Sequence, residues 1–287
     1  RVVLSLEQGK TYHFAVAALE KDMQWEIESA KTKNGFVYTN LADNTVEILK
    51  YTGTESNVTI PDKIDNKVVK TLGAESFTEN ETVVGVTIPA QVTNLQYGAF
   101  ASCTNLKKVT FAQGSQLKKI KEETFEHCQK LEEIHIPDSV TQIEKGAFYY
   151  CRSLSKLTLG KKLEVIDNNA FEGCSSLKQI EIPDSVESIG EGAFTYCTSL
   201  EHVTIGNKLA YVAKSAFSWC NLTEITWGDG IAKIGDSAFA CNQKLTTVSI
   251  PDTVTELEYK AFAGCVELSD IEIPDSVEAI GGYAFEK

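Results

Sequence analysis

The chain has 287 residues, 43% of them apolar and 23% charged, the balance of an ordinary soluble globular protein. No stretch approaches the ~18 unbroken apolar residues that a membrane span needs. Forty acidic against 27 basic side chains leave a formal charge of −13, a field that repels phosphate backbones and anionic lipid, so neither nucleic acid nor a charged membrane surface is an expected partner.

There is no initiator Met. Arg1 opens directly onto Val2-Val3-Leu4, and the far end, Ala284-Phe285-Glu286-Lys287, stops inside a repeat. A cut fragment is the expectation. In residues 1–33, Lys10 to Val16 alternates like a strand and loosely resembles the last strands of a fibronectin-III-like domain. Glu20 to Lys33 fits an amphipathic helix equally well. This segment reads as the remnant of an upstream module. Residues 34–56 read as a hairpin: Phe36-Val37-Tyr38 and Val46-Glu47-Ile48-Leu49 flank the turn pair Asp43-Asn44. This hairpin is assigned as the N-terminal cap of the remaining chain.

From 57 to 287 the sequence repeats. Phe recurs at 77, 100, 125, 148, 171, 194, 217, 239, 262 and 285, in steps of 23, 25, 23, 23, 23, 23, 22, 23 and 23. Ala precedes eight of the ten, Ser76 and Thr124 being the exceptions. Within one unit, Ala170, Phe171, Cys174 and Leu177 have the spacing of one face of a short helical or 3-10 turn. Leu177, Ile180 and Ile182 then alternate like a strand. Pro183 ends that strand because it cannot donate a ladder hydrogen bond. Val186 and Ile189 return to the core as a second extended piece. Some units put Gly where others have Pro, as in Leu159-Gly160, Ile205-Gly206 and Trp227-Gly228, and both residues break a strand. Gln113-Gly114-Ser115 adds residues at one turn, and the unit holding Cys220-Asn221-Leu222 is one residue short. No unit can bury its own apolar set, so the predicted architecture is a stack in which neighbours bury one another. No C-terminal cap is visible.

The strand signature Leu-x-x-Ile-x-Ile resembles the leucine-rich-repeat superfamily. Gly192-Ala193-Phe194, Cys197, Leu200-x-x-Val203-x-Ile205 and the Ile-Pro-Asp-Ser-Val strings at 136–140, 182–186 and 273–277 are similar to the bacterial BspA-like (Treponema pallidum-type) subclass. The resemblance runs from about Asn57 to the end. It implies a curved, right-handed solenoid of about ten turns. It also implies a secreted or surface-attached bacterial protein of a kind that includes adhesins for host matrix proteins and other microbes.

Eight cysteines stand at 103, 128, 151, 174, 197, 220, 241 and 265, three residues after Phe, or two for Cys241. An even count suggests disulfides. A constant repeat position points instead to a column of buried, unpaired thiols, and that reading is preferred. Paired Cys-x-x-Cys spacing for a metal is absent, and no cofactor is expected. His127 abuts Cys128, but adjacent residues on a turn face different ways and nothing orients them as a nucleophilic pair. Glu122-Glu123 and Glu132-Glu133 lack the sheltered pocket that acid–base work on a glycoside needs. No phosphate loop, serine elbow or His-Glu-x-x-His helix is present, and no enzymatic activity is expected.

The third and fifth positions of each strand signature point away from the core. In the resembled superfamily this is the concave face. Its central columns are Lys108, Glu133, Lys156, Gln179, His202 and Glu224, and Thr110, His135, Thr158, Glu181, Thr204 and Thr226. These twelve are the candidate ligand-binding residues, although β-branched Thr also suits strands for structural reasons. A second candidate column lies two residues after Phe: His127, Tyr150, Gly173, Tyr196 and Trp219. Repeated aromatics there either anchor a partner or pack against the next turn, and packing is preferred. The expected function is a non-catalytic interaction module, extracellular or on a bacterial cell surface, binding a protein or glycan, host-derived partners included. The alternatives are a spacer that holds another domain away from the cell and the non-catalytic part of a larger enzyme.

Overall fold

The computed structural model describes residues 11–13 and 29–287. Short parallel strands stack turn upon turn, and three backbone ladders run the length of the stack. The first is built from the Leu-x-x-Ile-x-Ile segments. Asn57–Thr59, Gly85–Ile88, Lys108–Phe111, Glu133–His135 and Lys156–Thr158 form one run. Gln179–Glu181, His202–Thr204 and Glu224–Thr226 form the next, and Thr247–Ser249 with Asp270–Glu272 the last. The second ladder consists of two-residue strands in two runs, from Lys119–Ile120 to Ser188–Ile189 and from Tyr211–Val212 to Ala279–Ile280.

The third ladder passes through the Ala-Phe segments, and here the structure departs from the expected helical turns. Among the described residues there is no helix. Each turn holds two residues with left-handed backbone, two before and two after the Phe: Gly146 and Tyr150 around Phe148, Asn169 and Gly173 around Phe171. Two left-handed residues four positions apart cannot belong to one right-handed helix. The chain instead makes successive four-residue β-turns, such as those closed by Ala170 N–H to Asp167 O and Cys174 N–H to Phe171 O. The amides between them point to the next turn. Phe148 N–H donates to Ala170 O, Phe171 to Ala193 and Phe194 to Ala216, each at 2.8 Å. Spacing along one face matched a helix because both backbones return side chains to the same side every three to four residues.

The core is one continuous cluster. Its spine is the Phe column, with successive ring centroids at 5.2 Å for Phe125–Phe148, 5.0 Å for Phe148–Phe171 and 5.2 Å for Phe171–Phe194, all near parallel. These rings are fully buried. Phe36 and Tyr51 continue the column at the N-terminal end, Tyr51 lying 5.1 Å from Phe77.

That end is a sheet. Thr11–His13, Ser29–Lys33, Phe36–Asn40 and Val46–Tyr51 pair antiparallel in order, and Val46–Tyr51 then pairs parallel with Lys67–Leu72. Phe36–Asn40 and Val46–Tyr51 flank the Asp43-Asn44 turn, with Asn44 left-handed. Ser29–Lys33 is extended, so the helix alternative for Glu20 to Lys33 does not hold over its last five residues. Positions 14–28, and the remainder of the 1–33 reading, lie outside the described residues.

The alternation of Pro and Gly has a packing cause. A Cβ on Gly160 would lie 2.4 Å from the Pro137 carbonyl oxygen, and one on Gly206 would lie 2.4 Å from that of Pro183. At these two steps the Pro-bearing bend seats its carbonyl where the next turn has no side chain, and Gly228 meets the Gly206 carbonyl in the same way, a tighter requirement than breaking a strand.

Candidate functional site

Strand alternation and the turn-to-turn register together build the first candidate surface. Inward residues such as Ile134, Ile180 and Val203 are buried. Outward residues align across the ladder: Lys108 opposite Glu133, Glu133 opposite Lys156, Gln179 opposite His202, His202 opposite Glu224. The other column aligns in the same way, His135 with Thr158 and Glu181 with Thr204 and Thr226. Lys108, Thr110, Glu133, His135, Lys156, Thr158, Gln179, Glu181, His202, Thr204, Glu224 and Thr226 are all exposed.

The strip carries mixed charge with few internal contacts. His202 Nδ1 lies 3.5 Å from Glu224 Oε2. Among the described residues, the side chains of Lys108, Glu133, Lys156, Gln179 and Glu181 make no hydrogen bond or ion pair within the chain. The ladder register places Glu133 between Lys108 and Lys156 on the neighbouring strands. A shallow depression of about 280 Å³ opens among Lys107, Lys108, Glu132, Glu133, Ser155 and Lys156.

The second column lies on the turn side. The left-handed position after each Phe is filled by Ser102, His127, Tyr150, Gly173, Tyr196 and Trp219 in successive turns. This backbone favours Gly, and a bulky side chain there costs on the order of 1–3 kcal/mol. His127 packs on Tyr149 and Tyr150, 5.7 Å between centroids in each case. The Arg152 guanidinium lies over the Tyr150 ring at 5.2 Å. Tyr196 and Trp219 stack at 5.9 Å, yet remain 43% and 48% exposed. The rings pack against neighbouring turns, as preferred from the sequence, while Tyr196 and Trp219 keep part of their surface in solvent.

Beside this column is a cleft of about 270 Å³ lined by Glu123, Glu126, Lys145, Tyr149, Asn169 and Glu172. Burial, then the neighbouring Glu123, raises the Glu126 carboxyl above the usual carboxylate range. Burial raises Glu172 as well, partly offset by the Asn169 amide that donates to it at 2.5 Å. Of the lining residues only Glu123 stands out in the sequence, as half of the Glu122-Glu123 pair expected to lack a sheltered pocket.

The cysteines are unpaired. Cys128 Sγ donates to Phe100 O at 3.2 Å and Cys151 Sγ to Phe125 O at 3.1 Å, and the same bond recurs from turn to turn. Burial pushes the Cys128 thiol well above its ordinary range, so no thiolate stands beside His127. Cys241 corrects the column reading: it occupies the left-handed position, φ 61°, and the buried slot belongs to its neighbour Asn242. Among the described residues, no three of His, Cys, Asp and Glu come together to hold a metal ion.

The sequence model described as "BspA type Leucine rich repeat region" matches residues 47–178 and 164–287 in six copies. The fold is similar to that of a leucine rich cell surface protein from Faecalibacterium prausnitzii, 26% identical, with a TM-score of 0.50 over 92% of this chain and 96% of that one. It is similar to a leucine rich repeat protein of T. pallidum, 24% identical, TM-score 0.54, covering 83% and 90%. It is also similar to the pneumococcal vaccine antigen PcpA, 21% identical, TM-score 0.55, covering 92% and 87%. No curated protein matches the chain.

Proposed function

The chain belongs to the BspA-type leucine-rich-repeat family, and from that membership we propose that it is a non-catalytic interaction module of a bacterial surface or secreted protein. It binds an extracellular protein or glycan through the outward strand residues. One observation carries this reading. From Lys108 to Glu224, polar side chains stand in register and exposed, and most make no bond within the chain. Their hydrogen-bonding capacity is free for a partner. The surface location draws support from the Faecalibacterium relative, which is described as a cell surface protein.

Alternating charge favours specificity and association rate over raw affinity, so binding weakens as salt rises past the ~10 Å screening length of 0.1 M. The test is a triple variant, Glu133→Ala, Lys156→Ala and His202→Ala, on immobilised matrix proteins, mucin and glycans. Capture falls at least about tenfold while the thermal melt stays in place, because exposed substitutions of this kind shift stability by only about ±0.5 kcal/mol each. Equal capture by variant and parent removes the strip from the reading. Absence of any capture favours a spacer, for which the stacked Phe spine supplies stiffness.

A further inference from the structure

Two of the three ladders run on into the N-terminal sheet, and one does not. The second ladder passes from Asn94–Leu95 to Lys67–Leu72 and on to Val46–Tyr51. The third continues through Tyr51, whose N–H donates to Ser76 O at 2.8 Å. The first ladder stops at Asn57–Thr59, which pairs on one side only, with Gly85–Ile88. Toward that neighbour, Gly85 N–H donates to Ser56 O and Ile60 N–H to Thr87 O, each at 3.0 Å. Parallel pairing uses every second residue of a strand. Ser56, Val58 and Ile60 therefore bond to Gly85–Ile88, and the N–H and C=O of Asn57 and Thr59 point the other way. Among the described residues those outward groups have no partner.

Beside this strand lies a depression of about 510 Å³. Its lining includes the buried apolar residues Phe36, Tyr51, Val58 and Ile64. Gly35 and Gly53, next to strands of the N-terminal sheet, line it without a side chain to fill it. The charged lining residues are Lys33, Lys63 and Glu55. Lys33 is held by Asp65 at 2.9 Å, whereas the exposed Lys63 ammonium makes no ion pair among the described residues. Sheets normally cover or blunt an edge of this kind, because its free main-chain groups template another strand.

We propose that the open edge of Asn57–Thr59 is the docking site for an extended segment of a partner protein, which adds one strand to the first ladder. Donors and acceptors alternate along the edge at strand spacing, a pattern that another extended main chain matches group for group. The strand's own alternation assigns the guest's side chains. Val58 is buried while Asn57 and Thr59 are exposed. A guest residue level with Val58 thus faces the apolar lining and is a small hydrophobe, and its neighbours face solvent. Lys63 favours an acidic residue in the guest. A second copy of this chain would bring its own Lys33 and Lys63 against these, so self-pairing is disfavoured. The edge precedes the strip of Lys108 to Glu224 on the ladder and stands whether or not that strip binds anything.

The test is amide hydrogen exchange and NMR titration on the whole chain. The probe is an end-blocked heptapeptide of alternating Val and Thr with one Thr replaced by Asp. In the free protein the Asn57 and Thr59 amides exchange fast, while that of Ile60, bonded to Thr87 O, exchanges slowly. The peptide binds and slows Asn57 and Thr59. N-methylating alternate residues of the peptide in one phase weakens binding at least about tenfold, through the lost hydrogen bonds, and in the other phase far less. Lys63→Glu reverses the preference for the Asp peptide over its Lys counterpart. Thr59→Pro removes one outward N–H, keeps the bond of Ile60 and weakens binding. The strip triple variant binds the peptide as the parent does. Four results overturn the proposal. The peptide does not bind, the phase of methylation makes no difference, the Asn57 and Thr59 amides are already slow in the free monomer, or they are slow because two copies pair there. The methylated peptides decide the matter even if Thr59→Pro fails to fold.

Discussion

The side-chain Oδ1 of Asn242 accepts the backbone N–H of Leu222 at 3.1 Å, across two adjacent turns. In the regular units this amide is satisfied locally, as where Leu200 N–H donates to Cys197 O at 2.8 Å. The unit of Phe217 is one residue short between Cys220 and Leu222, and no such local bond forms. Asn242 stands where the regular turns have Cys. Its Nδ2 donates to Phe217 O at 2.9 Å, the bond a thiol makes elsewhere, and to Phe239 O at 2.8 Å. One buried amide thus fills the Cys role in its own turn and supplies the bond that its neighbour's shortening removed.

Asn242→Ala leaves the Leu222 N–H and the Phe217 carbonyl buried without a partner. A loss of about 1–3 kcal/mol per unsatisfied group is expected in urea unfolding. Asn242→Cys costs less, because the thiol restores the bond to Phe217 O though not the one to Leu222. Equal losses for the two variants would show that the Leu222 contact is the dominant one.

Phe171→Ala removes a fully buried ring stacked at 5.0 Å on Phe148 and 5.2 Å on Phe194. The expected cost is about 3–5 kcal/mol, since both neighbouring turns line the resulting void. A thermal melt that does not move contradicts the spine.

Gly206→Ala places a methyl carbon 2.4 Å from the carbonyl oxygen of Pro183, a backbone atom that cannot swing aside. Roughly 1–3 kcal/mol of overpacking strain results. Gly114→Ala is the control: a Cβ there meets nothing within 4 Å. Its penalty comes from left-handed backbone alone, φ 77°, and is smaller.

Thiol reagents distinguish the cysteines by burial. Cys241, half-buried, reacts first in the native protein. Burial pushes Cys103 and Cys220 up to about 12, and it raises Cys128, Cys151 and Cys197 well above the ordinary thiol range. These react at the unfolding rate. Rapid labelling of several thiols below the melt, or the discovery of disulfides by mass spectrometry, would refute the buried column.

Acid tests the contact between Asp65 and the N-terminal sheet. The Tyr38 hydroxyl and the Lys33 ammonium both donate to its carboxylate, and they hold it below the usual carboxylate range. A carboxyl lowered in the folded state contributes stability that is complete above the ordinary value near 3.9 and is lost as pH falls through the lowered one. Asp65→Asn therefore flattens the melt's dependence below about pH 4. Tyr38 is raised, by burial first and then by Asp65, so the same contact weakens as pH climbs beyond about 10. An acid limb identical in parent and variant would remove Asp65 from the account.

Much of the architecture was legible because a residue and its counterpart about 23 positions later become spatial neighbours. The period alone placed Phe148, Phe171 and Phe194 in one stack and Glu133 between Lys108 and Lys156. Alternation alone separated Ile134, facing in, from His135, facing out. The expected helical turns were misread because apolar spacing reports which side chains reach the core and carries no sign of φ. Tyr150 and Trp219, bulky residues in left-handed backbone, gave no hint of that conformation. The column of eight thiols was misread at one place, since proximity in sequence could not show that Asn242 takes the slot and Cys241 leaves it.

The sequence by itself determined the repeat, the core columns and the membership of the exposed strip, all of which rest on local periodicity. Tertiary structure alone decided the rest. The carbonyl of Pro183 against Gly206, the amide of Asn242 against Leu222 and the ring of Tyr150 against Gly173 are close approaches between separate turns. They are set by backbone path and side-chain reach, quantities that a linear pattern of polar and apolar residues does not encode.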